Sequence, residues 1–138
     1  MTDQPAVALH AGHDGSHCPV ANYLNHLDAG DISGALESFT ADASYTRPSL
    51  GPHEDGPQSV KGRDQLQALL VERGRKPWRH RIRLCIQDGP LVLVTGHVEH
   101  EGETVPRAQF ISSATIDGGR IVSYVVLTAS TPEVGGST

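Results

Sequence analysis

The sequence is poor in aromatic residues, cysteine and long apolar runs. Phe, Trp and Tyr make up 4% of its 138 residues, and there are 2 Cys. Two cysteines exclude a disulfide-dense scaffold. Cys18 and Cys85 stand far apart, which suits a reducing cytoplasm, with Cys85 a small hydrophobe inside a predicted strand. The most apolar stretches, residues 91–94 and 124–127, are strand-sized and too short to cross a bilayer, so no membrane association is expected. The first ten residues lack the basic start and sustained apolar stretch of a secretory signal. An excess of positive charge is missing too. With 11 Lys+Arg against 16 Asp+Glu, the net charge of −5 argues against a nucleic-acid partner.

The hydrophobic content of 37% is that of an ordinary globular chain, and the length suits one domain. Residues 1–17 read as a flexible N-terminal tail, 18–130 as the folded domain and 131–138 as a C-terminal tail. Pro19 fits a first helical position, and Val20, Tyr23, Leu24 and Leu27 form one apolar stripe ended by Gly30. Asp31 can cap a second helix with Ile32, Ala35, Leu36 and Phe39 on its stripe. A third helix, from about Arg63 to Gly74, carries Leu66, Leu69 and Leu70. A short strand over residues 43–47 is expected before Pro48, then a long irregular connection up to Val60. Four strands follow, broken by turns at Asp88-Gly89, Gly102 and Gly118-Gly119. In the first of them Ile82, Leu84 and Ile86 alternate with Arg81, Arg83 and Cys85, so the even positions form the apolar face. Short connections imply antiparallel pairing, and helices gathered early in the chain make the fold α+β.

The residues 23–32 (Tyr-Leu-Asn-His-Leu-Asp-Ala-Gly-Asp-Ile), Phe39-Thr40-Ala41-Asp42-Ala43 and Gly62-Arg63-Asp64 resemble the nuclear transport factor 2-like superfamily. The SnoaL-like group and the ketosteroid isomerases are the nearest patterns. The resemblance implies a cone: a curved antiparallel sheet wrapped around three helices, enclosing an apolar pocket, in many members dimeric through the outer sheet face. In the isomerases a first-helix tyrosine donates to the developing enolate, and Tyr23 stands at that place. Their general base is an aspartate before a proline; here it is Arg47, before Pro48. Their second oxyanion donor matches Ser112. Arginine has no acceptor and stays protonated to above about pH 12, so steroid isomerisation is excluded.

The catalytic candidates are therefore Tyr23, Arg47 and His80. Arg47 could hold an anionic or enolate oxygen, or turn toward a surface carboxylate. His80 lies in phase with the even-numbered apolar face and is the best proton-transfer group. The expected ligand-contacting residues are Tyr45, Trp78, Phe110, Ser112, Tyr124 and Thr128, with Asp42 and His53 as reserve bases near the rim. Together they suggest a cofactor-independent enzyme for a hydrophobic, oxygenated, polyketide-like small molecule, acting by isomerisation, cyclisation or hydrolysis. The alternative is a binding module or dimeric scaffold without turnover. Of the 8 His, His10, His13 and His17 fall in the tail beside Cys18. His97 and His100 are expected with Glu99 on a strand's rim or outer face. Neither group has zinc-site spacing, and no metal is expected. Leu91, Leu93, Ile111 and Val125, opposite the predicted core, suggest a homodimer.

Overall fold

The computed structural model describes residues 7–10, 18–49, 54–106 and 108–130. Ten elements follow in order: β1 (Val7–His10), α1 (Pro19–Asp28), α2 (Ile32–Glu37), β2 (Phe39–Arg47), β3 (Gln58–Lys61), α3 (Arg63–Arg73), β4 (Trp78–Asp88), β5 (Leu91–His100), β6 (Ala108–Asp117) and β7 (Arg120–Ser130). The strands form one open seven-stranded sheet in the order β1-β4-β5-β6-β7-β2-β3. The three helices fall in the N-terminal half, and the architecture is the α+β cone.

The helices begin and end where the sequence chemistry requires. Pro19 opens α1, where a missing N–H costs nothing. The Asp31 carboxylate accepts the Gly34 N–H at 3.0 Å and caps α2. Gly74, with φ of 67°, ends α3 in a conformation other residues avoid. The apolar stripes of α1 and α3 are buried at Val20, Tyr23, Leu24, Leu27, Leu66, Leu69 and Leu70. They pack against the sheet face that carries Val92, Val94, Phe110, Ala114 and Tyr124.

Five features depart from the sequence expectations. Phe39, read as the last stripe position of the second helix, opens β2 and pairs with Ile121. The connection after Pro48 contains β3, antiparallel to β2. β2 also runs parallel to β7, so the sheet is mixed rather than wholly antiparallel. A parallel pair needs a long crossover, and the whole chain between β2 and β7 provides it. The stretch read as a tail contributes β1, antiparallel to β4; His13, His17 and residues 131–138 lie outside the described residues.

The fifth departure concerns β4. Its register against β5 shifts between Ile82 and Leu84. Before the shift, His80 and Ile82 sit opposite the inward-facing Val98 and Gly96. After it, Cys85 rather than Leu84 sits opposite inward-facing Val94. One extra residue inverts the alternation. Leu84 and Ile86, expected on the core face, are therefore turned to the outer one, beside Thr95 and Leu93. The inward Cys85 meets Cys18 in a disulfide, with Cα atoms 6.2 Å apart. The cysteines are not isolated thiols, and their spacing no longer argues for a reducing compartment. Among the described residues no helix is long and apolar enough to cross a membrane.

Candidate active site

The few aromatic residues are concentrated in one place. Tyr23 from α1, Phe39 and Tyr45 from β2, and Tyr124 from β7 pack together, with Tyr23 edge-on to Phe39 at 5.0 Å and Tyr45 stacked on Tyr124 at 5.5 Å. The three tyrosines line a cavity of about 220 Å³. Leu24, Leu27, Val98 and Val126 supply apolar wall, and Trp78, Arg47, His80 and Thr128 also reach it. Of the nine sequence-selected residues, seven meet at this cavity. Phe110 and Ser112 do not line it. Phe110 stands edge-on to the His80 ring at 5.2 Å, and Ser112 is buried at the register position opposite Val126.

All three phenols are buried, and burial raises each above the ordinary tyrosine value, most clearly for Tyr23 and Tyr124. Loss of water penalises the phenolate, and for Tyr23 the neighbouring Tyr45 and Tyr124 add to the penalty. Neutral phenols donate hydrogen bonds. The Tyr23 and Tyr45 hydroxyls lie 2.9 Å apart, so one donates to the other and one O–H remains to serve a ligand oxygen.

His80 is held by a residue the sequence reading did not select. Asp28 ends α1, and its Oδ2 accepts the His80 backbone N–H at 2.7 Å. Its Oδ1 lies 2.8 Å from His80 Nδ1. Both side chains are 13% exposed. A carboxylate only accepts, so Nδ1 carries the proton, and the lone pair of the neutral ring is on Nε2. One signal for Asp28 was present in the sequence. A carboxylate at the C-terminal end of a helix opposes the helix dipole, which calls for a specific partner elsewhere.

Arg47 takes the second of its expected settings, turned toward a carboxylate of the loop. It is 4% exposed at the cavity wall, where both terminal nitrogens are taken while Nε finds no partner among the described residues. Nη1 and Nη2 each donate to Glu54 at 3.0 Å, and Nη1 also donates to the Pro48 carbonyl at 2.9 Å. Arg47 is thus a neutralised wall group. Asp42 is exposed and accepts from Thr40, away from the cavity, and His53 lies outside the described residues. His100, expected on the rim or outer face, shares the inward parity of Val98. It lines the cavity and lies against Trp78 at 5.1 Å. His97 remains on the opposite face with Glu99, 3.2 Å from its Oε2. The His97, Glu99 and His100 group is therefore split between two faces of β5.

Trp78, His80 and His100 also border a second, polar cleft of about 620 Å³, which reaches Asp28 and the exposed Arg75–Glu101 pair. His80 and Asp28 thus stand at the wall between an apolar cavity and a polar cleft.

The SnoaL-like domain pattern matches residues 20–124, most of the chain. This chain belongs to the SnoaL-like family. No curated protein matches it. Solved structures similar to this SnoaL-like protein include an NTF-2 like protein of unknown function from Burkholderia xenovorans. The TM-score there is 0.65 at 22% identity, covering 86% of this chain and 85% of that one. A candidate ketosteroid isomerase from Kribbella flavida gives 0.62 at 14% identity, covering 86% and 81%. An LEH-like epoxide hydrolase from M. tuberculosis gives 0.59 at 19% identity, with 80% of each chain covered. At these identities the likeness establishes the fold, and a fold of this kind hosts unrelated chemistries.

Proposed function

We propose that this SnoaL-like protein is a cofactor-independent enzyme that moves a proton on a hydrophobic, oxygenated, polyketide-like small molecule, in an isomerisation, cyclisation or hydrolysis. The observation that carries this reading is the Asp28-held His80 at the edge of a tyrosine-lined cavity. In it, Nε2 takes the proton while Asp28 fixes the ring and stabilises the imidazolium that forms. A hydroxyl of the Tyr23–Tyr45 pair donates to the oxygen on which negative charge develops. The polar cleft behind His80 offers the proton a route to bulk water. Arg47 supports the wall and, paired with Glu54, does not act as a base. The candidate ketosteroid isomerase and the LEH-like epoxide hydrolase share this fold, and the analogy supports a small oxygenated substrate.

The test is turnover across a panel of hydrophobic ketones, enols and epoxides, followed by His80→Ala and Tyr23→Phe on any substrate found. Loss of about a hundredfold or more in kcat for His80→Ala is expected. Unchanged turnover in both variants would remove the assignment, and binding without turnover would make the chain a receptor of the same fold.

The outer sheet face leaves Leu91, Leu93, Ile111, Val125 and Leu127 between 41% and 60% exposed. We propose that a second copy of the chain covers this face. Sedimentation showing a monomer at micromolar concentration would refute that.

A further inference from the structure

The charges around the cavity are not equally satisfied. The Arg47 guanidinium is cancelled by Glu54. The Asp28 carboxylate is occupied by two N–H donors of His80, and it borders the polar cleft rather than the cavity. Arg73, the last residue of α3, also lines the cavity. Among the described residues its one hydrogen bond is Nη1 to the neighbouring Gly74 carbonyl at 3.0 Å. Its guanidinium carbon stands 6.0 Å from the centre of the Trp78 ring. Among the described residues no carboxylate pairs with it. The field of Arg73 also reaches the Tyr23 and Tyr45 phenols and opposes the upward push of burial on both, joined at Tyr45 by that of Arg47.

A half-buried guanidinium facing apolar walls, with donors left over and an aromatic plane beside it, suits a ligand carboxylate or enolate joined to an apolar body. The placement orients such a ligand. Its anion would lie against the Arg73 donors, and its apolar body would extend along Leu24, Leu27 and Val126 toward the tyrosine hydroxyls. A neutral ligand of the same shape could accept a hydrogen bond from Arg73 but would offer no opposite charge.

We propose that the cavity selects organic acids: amphipathic molecules with one anionic oxygen group, for which Arg73 is the specificity-determining counter-ion. The proposal rests on the cavity being the substrate site of the preceding reading, and it adds the charge class of the substrate.

The test is calorimetric titration with 2-naphthoate and its neutral isostere 2-naphthamide. Neither probe is expected to react, so the result does not depend on proton transfer by His80. Naphthoate is expected to bind about tenfold or more tighter than the amide, the difference a charge-assisted contact supplies. Arg73→Met should bring the two affinities together, and Arg73→Lys should keep part of the preference. Circular dichroism and thermal melts verify that both variants are folded. Equal affinities in the wild type, absence of binding by either probe, or a preference that survives in Arg73→Met would each overturn the proposal. A preference for the acid alongside failed turnover in every assay would remove only the catalytic reading.

Discussion

Breaking the Cys18–Cys85 bridge should cost this protein a large part of its stability. The bridge closes a loop with a sequence separation of 67 and is almost fully buried, with Cys18 3% and Cys85 1% exposed. In the chain-entropy description, a loop of that length removes about 4 kcal/mol of freedom from the unfolded ensemble. A chain of this size has roughly 7–20 kcal/mol of stability in all. Opening the bridge should therefore lower the melting temperature by roughly 15 °C. The assay is urea unfolding of the wild type with and without a phosphine reductant, beside a Cys18→Ala, Cys85→Ala double variant. Reduced wild type and double variant should unfold at similar, lower midpoints. Their urea dependence should be steeper, because an uncrosslinked unfolded chain exposes more surface. Thiol alkylation in urea without reductant should label neither cysteine. If oxidised and reduced protein unfold within about 1 kcal/mol of each other, the loop-entropy reasoning fails. Alkylation of both cysteines without reductant would show the bridge itself to be absent.

Three further perturbations probe the site and its frame. All three tyrosines of the sequence are buried with raised pKa values. Absorbance at the phenolate band should therefore stay flat through the ordinary tyrosine range, near pH 10, and rise only as the protein unfolds. The sign follows from linkage: the unfolded phenols lose protons first, so stability is complete below about pH 10 and falls as pH rises beyond it. Early ionisation of even one tyrosine would contradict the buried cluster. Asp28→Ala should release the His80 ring from its fixed tautomer, seen as a shift of its nitrogen signals by NMR. It should also cost about 1–3 kcal/mol, because the His80 backbone N–H loses its acceptor. An unchanged nitrogen spectrum would mean that Asp28 does not hold the ring. Gly96→Ala should destabilise by about 1–3 kcal/mol, because a Cβ there meets the Arg81 carbonyl oxygen and lies 2.8 Å from Phe110 Cε1. A neutral result by urea unfolding would show that β4 can give way.

The parts of this fold that were legible in the sequence are those governed by an uninterrupted period. The stripe of α1, the short run before Pro48 and the alternation of β5 to β7, separated by glycine turns, place Tyr23, Tyr45, Tyr124 and Thr128 on the inner face from sequence alone. Legibility failed where period or locality failed. The extra residue in β4 has no signature of its own, so Leu84 and Ile86 were read as facing inward. The strands β1 and β3 have four residues each, too few to establish an alternation. Asp28 and His80 are 52 residues apart, and only the packing of α1 on β4 brings them together. Arg73 has a weaker local signal, lying four residues after Leu69 and three after Leu70 on the apolar side of α3. His100 is a different case: its parity with Val98 was available, and the rim assignment set it aside.

The inverted alternation in β4 has a consequence for how the length of this strand could vary in evolution. Cys85 is anchored from the inside by Cys18, so the later half of the strand cannot turn over. Deleting one codon at Arg83 would restore a regular ladder without rotating either half, because Ile82 already pairs with Gly96 and Leu84 with Thr95, and His80 would still face Asp28. The core, the bridge and the outer aliphatic face would remain. The extra residue is what lets an even-numbered His80 and an odd-numbered Cys85 share one face, so relatives shorter by one residue between positions 82 and 84 should keep both the bridge and the inward histidine.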